Sequence, residues 1–323
     1  MRILSDTHID FLKWRWQAIA LSVLIIVAGI GTVATRGIPL GIDFTGGTAL
    51  TLRFQAPVGD DQIRSAIPGN VVVQRVSGGG SDNDVLVRLP VSTEAEQGAS
   101  ITDQAAAAEA ALRAANIGEF EVLDREVVGP IVGQDLTRKG VYATLFALGG
   151  ILVYIGFRFN FTFAVGAIVA VFHDLLVTMA FLTWFGYDIS LNVIAALLTI
   201  TGYSVNDTIV IFDRVRENQR MMRREPLESV VNTSVNQTLS RTIITSGTTF
   251  LTVLALFALG GEVLRSFSFT MLVGIITGTY SSVFIAAAIA VIISRRRTQP
   301  VQAQAKAPQG QGQSGSRAKR ARA

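Results

Sequence analysis

The chain has 323 residues, half of them hydrophobic and only 16% charged, with a formal net charge of +4. An ordinary soluble domain carries about 25% charged residues, so a purely soluble fold is excluded. The chain contains no cysteine and only His8 and His173, which removes disulfides, thiolate metal sites and a His-rich metal centre from consideration. No cofactor or metal is expected.

The apolar residues gather into six runs, at 17–34, 141–157, 163–184, 189–212, 243–259 and 267–293. Crossing a hydrocarbon core of about 30 Å takes about 20 helical residues, so each run predicts a membrane-spanning helix. The first is preceded by Lys13 and Arg15 and flanked by Trp14 and Trp16, which suit an interfacial anchor. A cleaved signal peptide is the alternative, with Thr32, Val33 and Ala34 as a passable cleavage site, but the apolar run is longer than a signal core.

Between the first two spans, residues 36–139 read as one small folded domain. Strand-like alternation is expected at 48–54, a short helix with acids in its first turn at 60–67, and strands at 71–76 and 84–89 joined by a turn at 78–82. An Ala-rich helix at 101–115 opens at Thr102 or Asp103, and a last strand follows at 120–128. The order βαββαβ is that of a ferredoxin-like unit. The expected fold class is therefore a six-span α-helical membrane protein with an extracytoplasmic α+β ferredoxin-like domain.

Charge sets the orientation. Arg2, Lys13 and Arg15 precede the first span, five arginines between Arg214 and Arg224 follow the fourth, and Arg295, Arg296 and Arg297 follow the sixth. Both termini and a loop at 213–240 are then cytoplasmic, although Arg138 and Lys139 oppose the rule locally. The segments are a cytoplasmic N-terminus at 1–16, span one at 17–35, the outer domain at 36–139, spans two to six within 140–294, and a disordered basic tail at 295–323. These basic clusters flank spans without interleaved aromatics, so membrane lipid rather than nucleic acid is their expected partner. Within the loop, Leu227, Val230, Val231, Val235 and Leu239 recur at helical spacing. This predicts either a short amphipathic helix on the cytoplasmic surface or an ordinary connector.

Few residues can carry chemistry. Asn206 and Asp207 lie inside the fourth apolar run, among Thr199, Thr201, Tyr203, Ser204 and Thr208. An intramembrane carboxylate costs about 2.5–3.5 kcal/mol on insertion scales and usually faces a bundle interior or a water path. Arg241 opens the fifth run, beside Thr242, Thr245, Ser246, Thr248 and Thr249. Burial works against the charge of Asp207 and a nearby Arg241 works for it, so the pair can load and release a proton. The competing readings are a static interhelical pair and an Arg241 that simply marks the cytoplasmic border. His173 and Asp174 sit near the middle of the third run and either extend a proton path or form a hydrogen-bonded packing element. Asp213 and Arg214 read as a solvated helix end. Gly274 and Gly278 form a GxxxG step for close helix contact, followed by Ser281 and Ser282. The sequence carries no glycine-rich phosphate loop, so no ATPase or other enzyme activity is expected.

Taken together, GIDFTGG at 41–47, VVGPIVGQDL at 127–136, HDLL at 173–176, AALLTITGYSVNDTIVIFDRVREN at 195–218, QTLSRTIITSGTT at 237–249 and GTYSS at 278–282 resemble the SecF branch of the SecD/SecF family, within the RND superfamily. The resemblance spans about residues 10–295. It implies an RND-type arrangement of one span, an outer domain and five further spans, paired with SecD into a twelve-span unit in the bacterial cytoplasmic membrane. It also implies the SecYEG translocon and an unfolded secretory polypeptide as partners, with YajC a further candidate, and a proton-driven role in late export. On the motif positions, Asp207 and Arg241 are the proton-linked residues, supported by Asn206, His173, Asp174 and Thr245. An RND-type small-molecule or lipid exporter and a passive translocon scaffold are the alternatives.

Overall fold

The computed structural model describes residues 7–69, 71–75, 83–90, 101–261 and 263–295. The turn expected at 78–82, Arg2 and the tail from 296 onward lie outside these residues. Among the described residues, six helices are long and apolar enough to cross a membrane. They are α1 (Arg15–Arg36), α5 (Pro130–Arg158), α6 (Phe161–Phe185), α7 (Leu191–Met221), α8 (Leu227–Leu259) and α9 (Arg265–Ser281), the last continuing through a π-helical turn at Ser282–Ala286 to Arg295.

Three of these helices extend beyond the apolar runs. Helix α5 begins at Pro130, where a proline at the first helical positions gives up no intrahelical bond. Residues 130–139, assigned from sequence to the outer domain, therefore belong to the second spanning helix. The loop expected at 213–240 is mostly helical as well, because α7 runs to Met221 and α8 starts at Leu227. The amphipathic stretch from Leu227 to Leu239 is the first part of α8, not a separate helix. Its polar side is also engaged: Asn232 Oδ1 accepts from Phe11 N at 2.9 Å, and Asn236 exchanges two bonds with Ile9. Glu228 holds Arg15 at 2.8 Å and also Arg295, tying the ends of α1, α8 and α9 together.

Helices α6, α7 and α9 carry most of the buried positions, while α1, α5 and α8 form the outer layer. Small residues set the contacts. A Cβ added at Gly274 would come within 2.2 Å of Ile200 Cδ1, and one at Gly278 within 3.0 Å of Ser204 Cβ, so the GxxxG face of α9 lies against α7. Gly29 of α1 meets Ala180 of α6, and Gly166 of α6 meets the backbone of Ala286. Close backbone approach of this kind supplies the dispersion contact that drives helix association in lipid.

Between α1 and α5 lie a short helix α2 (Ile42–Thr45), β1 (Gly47–Phe54), α3 (Asp60–Ala66), β2 (Val72–Arg75), β3 (Asp84–Leu89), α4 (Ile101–Ala114) and β4 (Phe120–Val128). The strands form an antiparallel sheet in the order β2-β3-β1-β4. Leu50, Leu52 and Phe54 alternate onto the face covered by α3 and α4, where they join Val85, Val87, Ile63 and Leu112 in a closed apolar core. Ala49 and Thr51, with Leu86 and Arg88, point to the opposite face, toward the ends of the spanning helices. Phe120, Val122 and Asp124 share one parity, which would drive an acid into the core. A register shift between Thr51 and Leu52 resolves the conflict: Phe120 and Val122 pack on the core, whereas Asp124 and Glu126 turn to the other face.

The motif at 41–47 is the joint between sheet and bundle. Gly46 and Gly47 take φ of 70° and 123°, conformations open to glycine, and a Cβ at Gly47 would lie 2.4 Å from Leu89 O. Gly133 of α5 backs directly onto this turn, with its Cβ position 3.2 Å from Gly46 N. Leu40 forms a parallel bridge with Ile189, made by Ile189 N to Pro39 O at 2.7 Å and Gly41 N to Ile189 O at 2.8 Å.

Candidate functional site

Asp207 lies in α7 and is only 5% exposed. Leu191 to Met221 forms one continuous helix without an internal proline, which carries this carboxylate to the seam with α8 and α9. There Ser246 Oγ of α8 donates to Asp207 Oδ2 at 3.5 Å. The same serine oxygen accepts from Tyr203 OH at 3.3 Å and from Thr279 Oγ1 of α9 at 2.8 Å. Ser246 is therefore a polar hub joining three helices at the acid.

Arg241 does not close on Asp207. It is exposed on α8 and forms no ion pair among the described residues, so the static interhelical pair is not formed in this structure. Thr245 and Asn206 are exposed too, and the Thr245 hydroxyl donates to Arg241 O at 3.0 Å. Of the residues singled out from sequence around the fourth and fifth spans, Asp207 faces the bundle interior while Asn206, Arg241 and Thr245 face outward.

A second polar centre forms around Asp174, 1% exposed at the middle of α6. Its Oδ1 is 2.9 Å from His173 Nδ1, and His173 Nε2 is 2.8 Å from Ser22 Oγ of α1. Its Oδ2 accepts from Ser204 of α7 and, at 2.8 Å, from Ser281 of α9. Tyr280 borders the cluster, donating to Ala18 O at 2.8 Å and accepting from Ser22 Oγ at 3.4 Å. A carboxylate offers about four acceptor positions, and this one collects donors from α6, α7 and α9. Next to it, Thr208 Oγ1 and Ser282 Oγ are 3.0 Å apart across the α7–α9 contact, at the start of the π-helical turn. Such turns are frequent at functional positions. Helix α7 thus shows Ser204 to Asp174 on one side and Asp207 to Ser246 on another.

Sequence reasoning missed Ser22 and the convergence of Ser204 and Ser281 on Asp174. The available signal was the isolated serine in an otherwise apolar span, which in lipid must find a partner. Asp213 and Arg214, read as a solvated helix end, are partly exposed and also paired: Arg158 Nη2 binds both Asp213 oxygens at 2.6 Å, and Arg214 donates to Gln237 and Glu217. No cluster of metal-ligating side chains occurs among the described residues.

Six apolar helices, an insert of mixed α/β structure after the first of them, and buried acids held by hydroxyls in the bundle define a multi-pass membrane protein with a polar interior. Two family descriptions match the chain, "Protein export membrane protein SecD/SecF, C-terminal" over residues 107–296 and "SecD/SecF GG Motif" over residues 32–58. The chain belongs to the SecD/SecF family, on its SecF side. It is 41% identical to the protein translocase subunit SecF of Desulfurispirillum indicum over 91% of this chain and 94% of that one. The SecF of Pseudomonas aeruginosa is 42% identical over 88% and 90% of the two chains. The crystal structure of SecDF from Thermus thermophilus, described as a translocon-associated membrane protein, superposes with a TM-score of 0.77 at 39% identity. That match covers 92% of this chain and 40% of the longer SecDF chain.

Proposed function

We propose that this protein is the SecF-type accessory subunit of the bacterial Sec translocase and acts with SecD to use the proton gradient in late steps of polypeptide export. The observation that carries the proton-driven part is the buried Asp207, held by the Ser246 hub that joins α7, α8 and α9. Moving one charge through the membrane field is worth about 2.3 kcal/mol per 100 mV, enough to shift a helix contact between two arrangements. Arg241, exposed beside the hub, is the charge that Asp207 engages when its protonation changes. Asn206 and Thr245 line the same side. His173 and Asp174 form the inner polar support, and the Gly274–Gly278 face lets α9 slide on α7.

Further readings follow from the same fold. The sheet order and the split βαβ path support a ferredoxin-like domain on the extracytoplasmic side. Both termini and the α7–α8 turn lie in the cytoplasm of a bacterium whose inner membrane holds the bundle, a reading that the arginine clusters support. SecD supplies the other half of a twelve-span unit, and the outer domain acts on an unfolded polypeptide emerging from SecYEG, with YajC as an accessory contact. No ATP is used.

Precursor export in cells whose only copy carries Asp207→Asn tests the reading, with membrane level and co-purification with SecD measured in the same samples. Loss of export at normal level and assembly is expected. Normal export would make Asp207 structural and leave a passive scaffold as the function. Drug or lipid efflux by the chain without SecD would instead identify a small-molecule exporter.

A further inference from the structure

The sheet domain and the outer end of α7 are fastened at two points. Asp43, in the short helix α2, accepts a hydrogen bond from Leu191 N at 2.8 Å through Oδ2. Leu191 is the first residue of α7, so a side chain from the joint motif satisfies one of that helix's open N–H groups. Ser190 occupies the usual cap position and covers Val193 N, at 3.3 Å; Asp43 is a second, long-range cap. The other fastening is Arg88 of β3, which forms an ion pair with Asp188 in the α6–α7 turn. The two side chains are 14% and 13% exposed, and Arg88 also donates to Gln74 Oε1 at 2.7 Å. Gln74 in turn lies against Gly186, whose added Cβ would sit 2.8 Å from Gln74 Nε2.

These contacts matter because of what α7 carries. Sixteen residues separate Leu191 from Asp207, about 24 Å along an α-helix at 1.5 Å per residue. A helix held at its head and unbroken along its length moves as a rod. On its other side, the loop that supplies Asp43 runs directly into β1 through Gly46 and Gly47.

We infer that Asp43, together with the Arg88–Asp188 pair, couples displacement of the Asp207 helix to the sheet domain. The inference rests on the proton-driven reading above and names the residues that transmit it. Asp43 is a positioning residue: it acts through the backbone of α7 and through the turn into β1. The motif at 41–47 thereby acquires a mechanical role beyond its turn geometry.

The absence of cysteine from the chain makes a direct test possible. Spin labels on Ala114→Cys in the sheet domain and Leu259→Cys at the outer end of α8 report their distance in vesicles containing the full chain with SecD. An acid-outside gradient is expected to shift that distance in the otherwise unaltered protein. Asp43→Ala is expected to abolish the shift and to lower export. Asp43→Ser and Asp43→Asn keep a capping oxygen and are expected to restore both. Arg88→Ala is expected to weaken the shift, and Arg88→Asp combined with Asp188→Arg to recover it. If Asp43→Ala is not retained in the membrane, Arg88→Ala and its charge-swapped double variant carry the same comparison. A normal shift and normal export in Asp43→Ala and Arg88→Ala would overturn the coupling while leaving the proton-driven reading intact. No shift in the unaltered protein would overturn both.

Discussion

Ser204 donates a hydrogen bond to Asp174 while its Cβ meets the flat face of Gly278. One small residue therefore supplies both the polar link from α6 to α7 and one of the close contacts of α7 with α9. It lies three residues before Asp207 on the same helix, so the two buried acids share a single structural element. Buried polar networks of this kind rigidify a core when complete and are costly when incomplete, because the low dielectric strengthens every bond made or missed.

The Asp174 centre is expected to behave as one unit. Asp174→Ala removes the acceptor for Ser204 and Ser281 and the neighbour of His173 Nδ1. A buried group left without a partner costs about 1–3 kcal/mol in water-soluble proteins. Interhelical bonds in membranes average nearer 0.6 kcal/mol, since the separated helices find other partners. A total loss of about 2–4 kcal/mol is expected from these magnitudes. Asp174→Asn keeps one acceptor oxygen and is expected to lose less. Unfolding in detergent, followed by helical signal against denaturant, measures both; equal midpoints for Asp174→Ala and the unaltered protein would show that the network contributes nothing.

Glycine at 274 is expected to matter more than glycine at 278. A Cβ at 274 would fall within 2.6 Å of three side-chain atoms of Ile200, against a nearest approach of 3.0 Å to Ser204 at 278. Overpacking of this kind costs typically about 1–3 kcal/mol. Gly274→Ala should lower the unfolding midpoint, and adding Ile200→Ala should recover part of the loss by clearing the clash. Gly278→Ala should have the smaller effect. The reverse order would mean that Ile200 rotates away at no cost and that the Ser204 contact is the stricter one.

Six apolar runs and two alternating patterns made most of this architecture legible before any coordinates. The strands at 48–54 and 84–89 were visible because their core residues recur at every second position. The ends of α5, α7 and α8 were not. Residues 130–139, 213–221 and 227–242 are polar enough to leave the membrane, and hydropathy reports solvent rather than helix. The Asp124 face depended on a bulge that no local pattern signals. Asp207 was legible as an acid in an apolar run. Its partner was not, since the attraction of Arg241 for an acid on the next helix is plain in sequence, whereas the packing that leaves Arg241 exposed and buries Ser246 against α7 and α9 is not. The joint motif stood out by its glycines. Its second role, capping a helix nearly 150 positions later with Asp43, is a long-range contact that spacing cannot show.

Gly47 offers a test of the joint that is independent of proton movement. Its φ of 123° and the 2.4 Å approach to Leu89 O leave no room for any side chain, and the obstructing atom is backbone. Gly47→Ala is expected to displace the start of β1 and cost more than about 1 kcal/mol, the usual level for a glycine in a strained conformation. Limited proteolysis of the sheet domain in membranes should cut this variant faster while the spanning helices stay protected. Unchanged cutting would show that the turn relaxes without disturbing the strand.

Asp188 gives the joint a pH dependence whose sign can be worked out. Burial pushes its carboxyl up to about 6, with the charge and hydrogen bond of Arg88 pulling the other way. The cavity of 270 Å³ around it is also lined by Asp43, Asp124, Glu126, Arg75 and Arg265. Because the folded state holds the proton more tightly than the unfolded state, this group adds stability as pH falls from above 6 toward the ordinary carboxylate range near 4. Ionised Asp188 above pH 6 keeps its charge on Arg88 but carries the burial cost. Asp188→Asn removes the titration and leaves Glu126 and the other neighbours in place, so their contributions cancel in the comparison. The unfolding midpoint of the unaltered protein, relative to Asp188→Asn, should therefore rise as pH is lowered from 7.5 to 4.5. A relative fall over the same range would mean that attraction to Arg88 outweighs burial, and that acid loosens the joint instead of consolidating it.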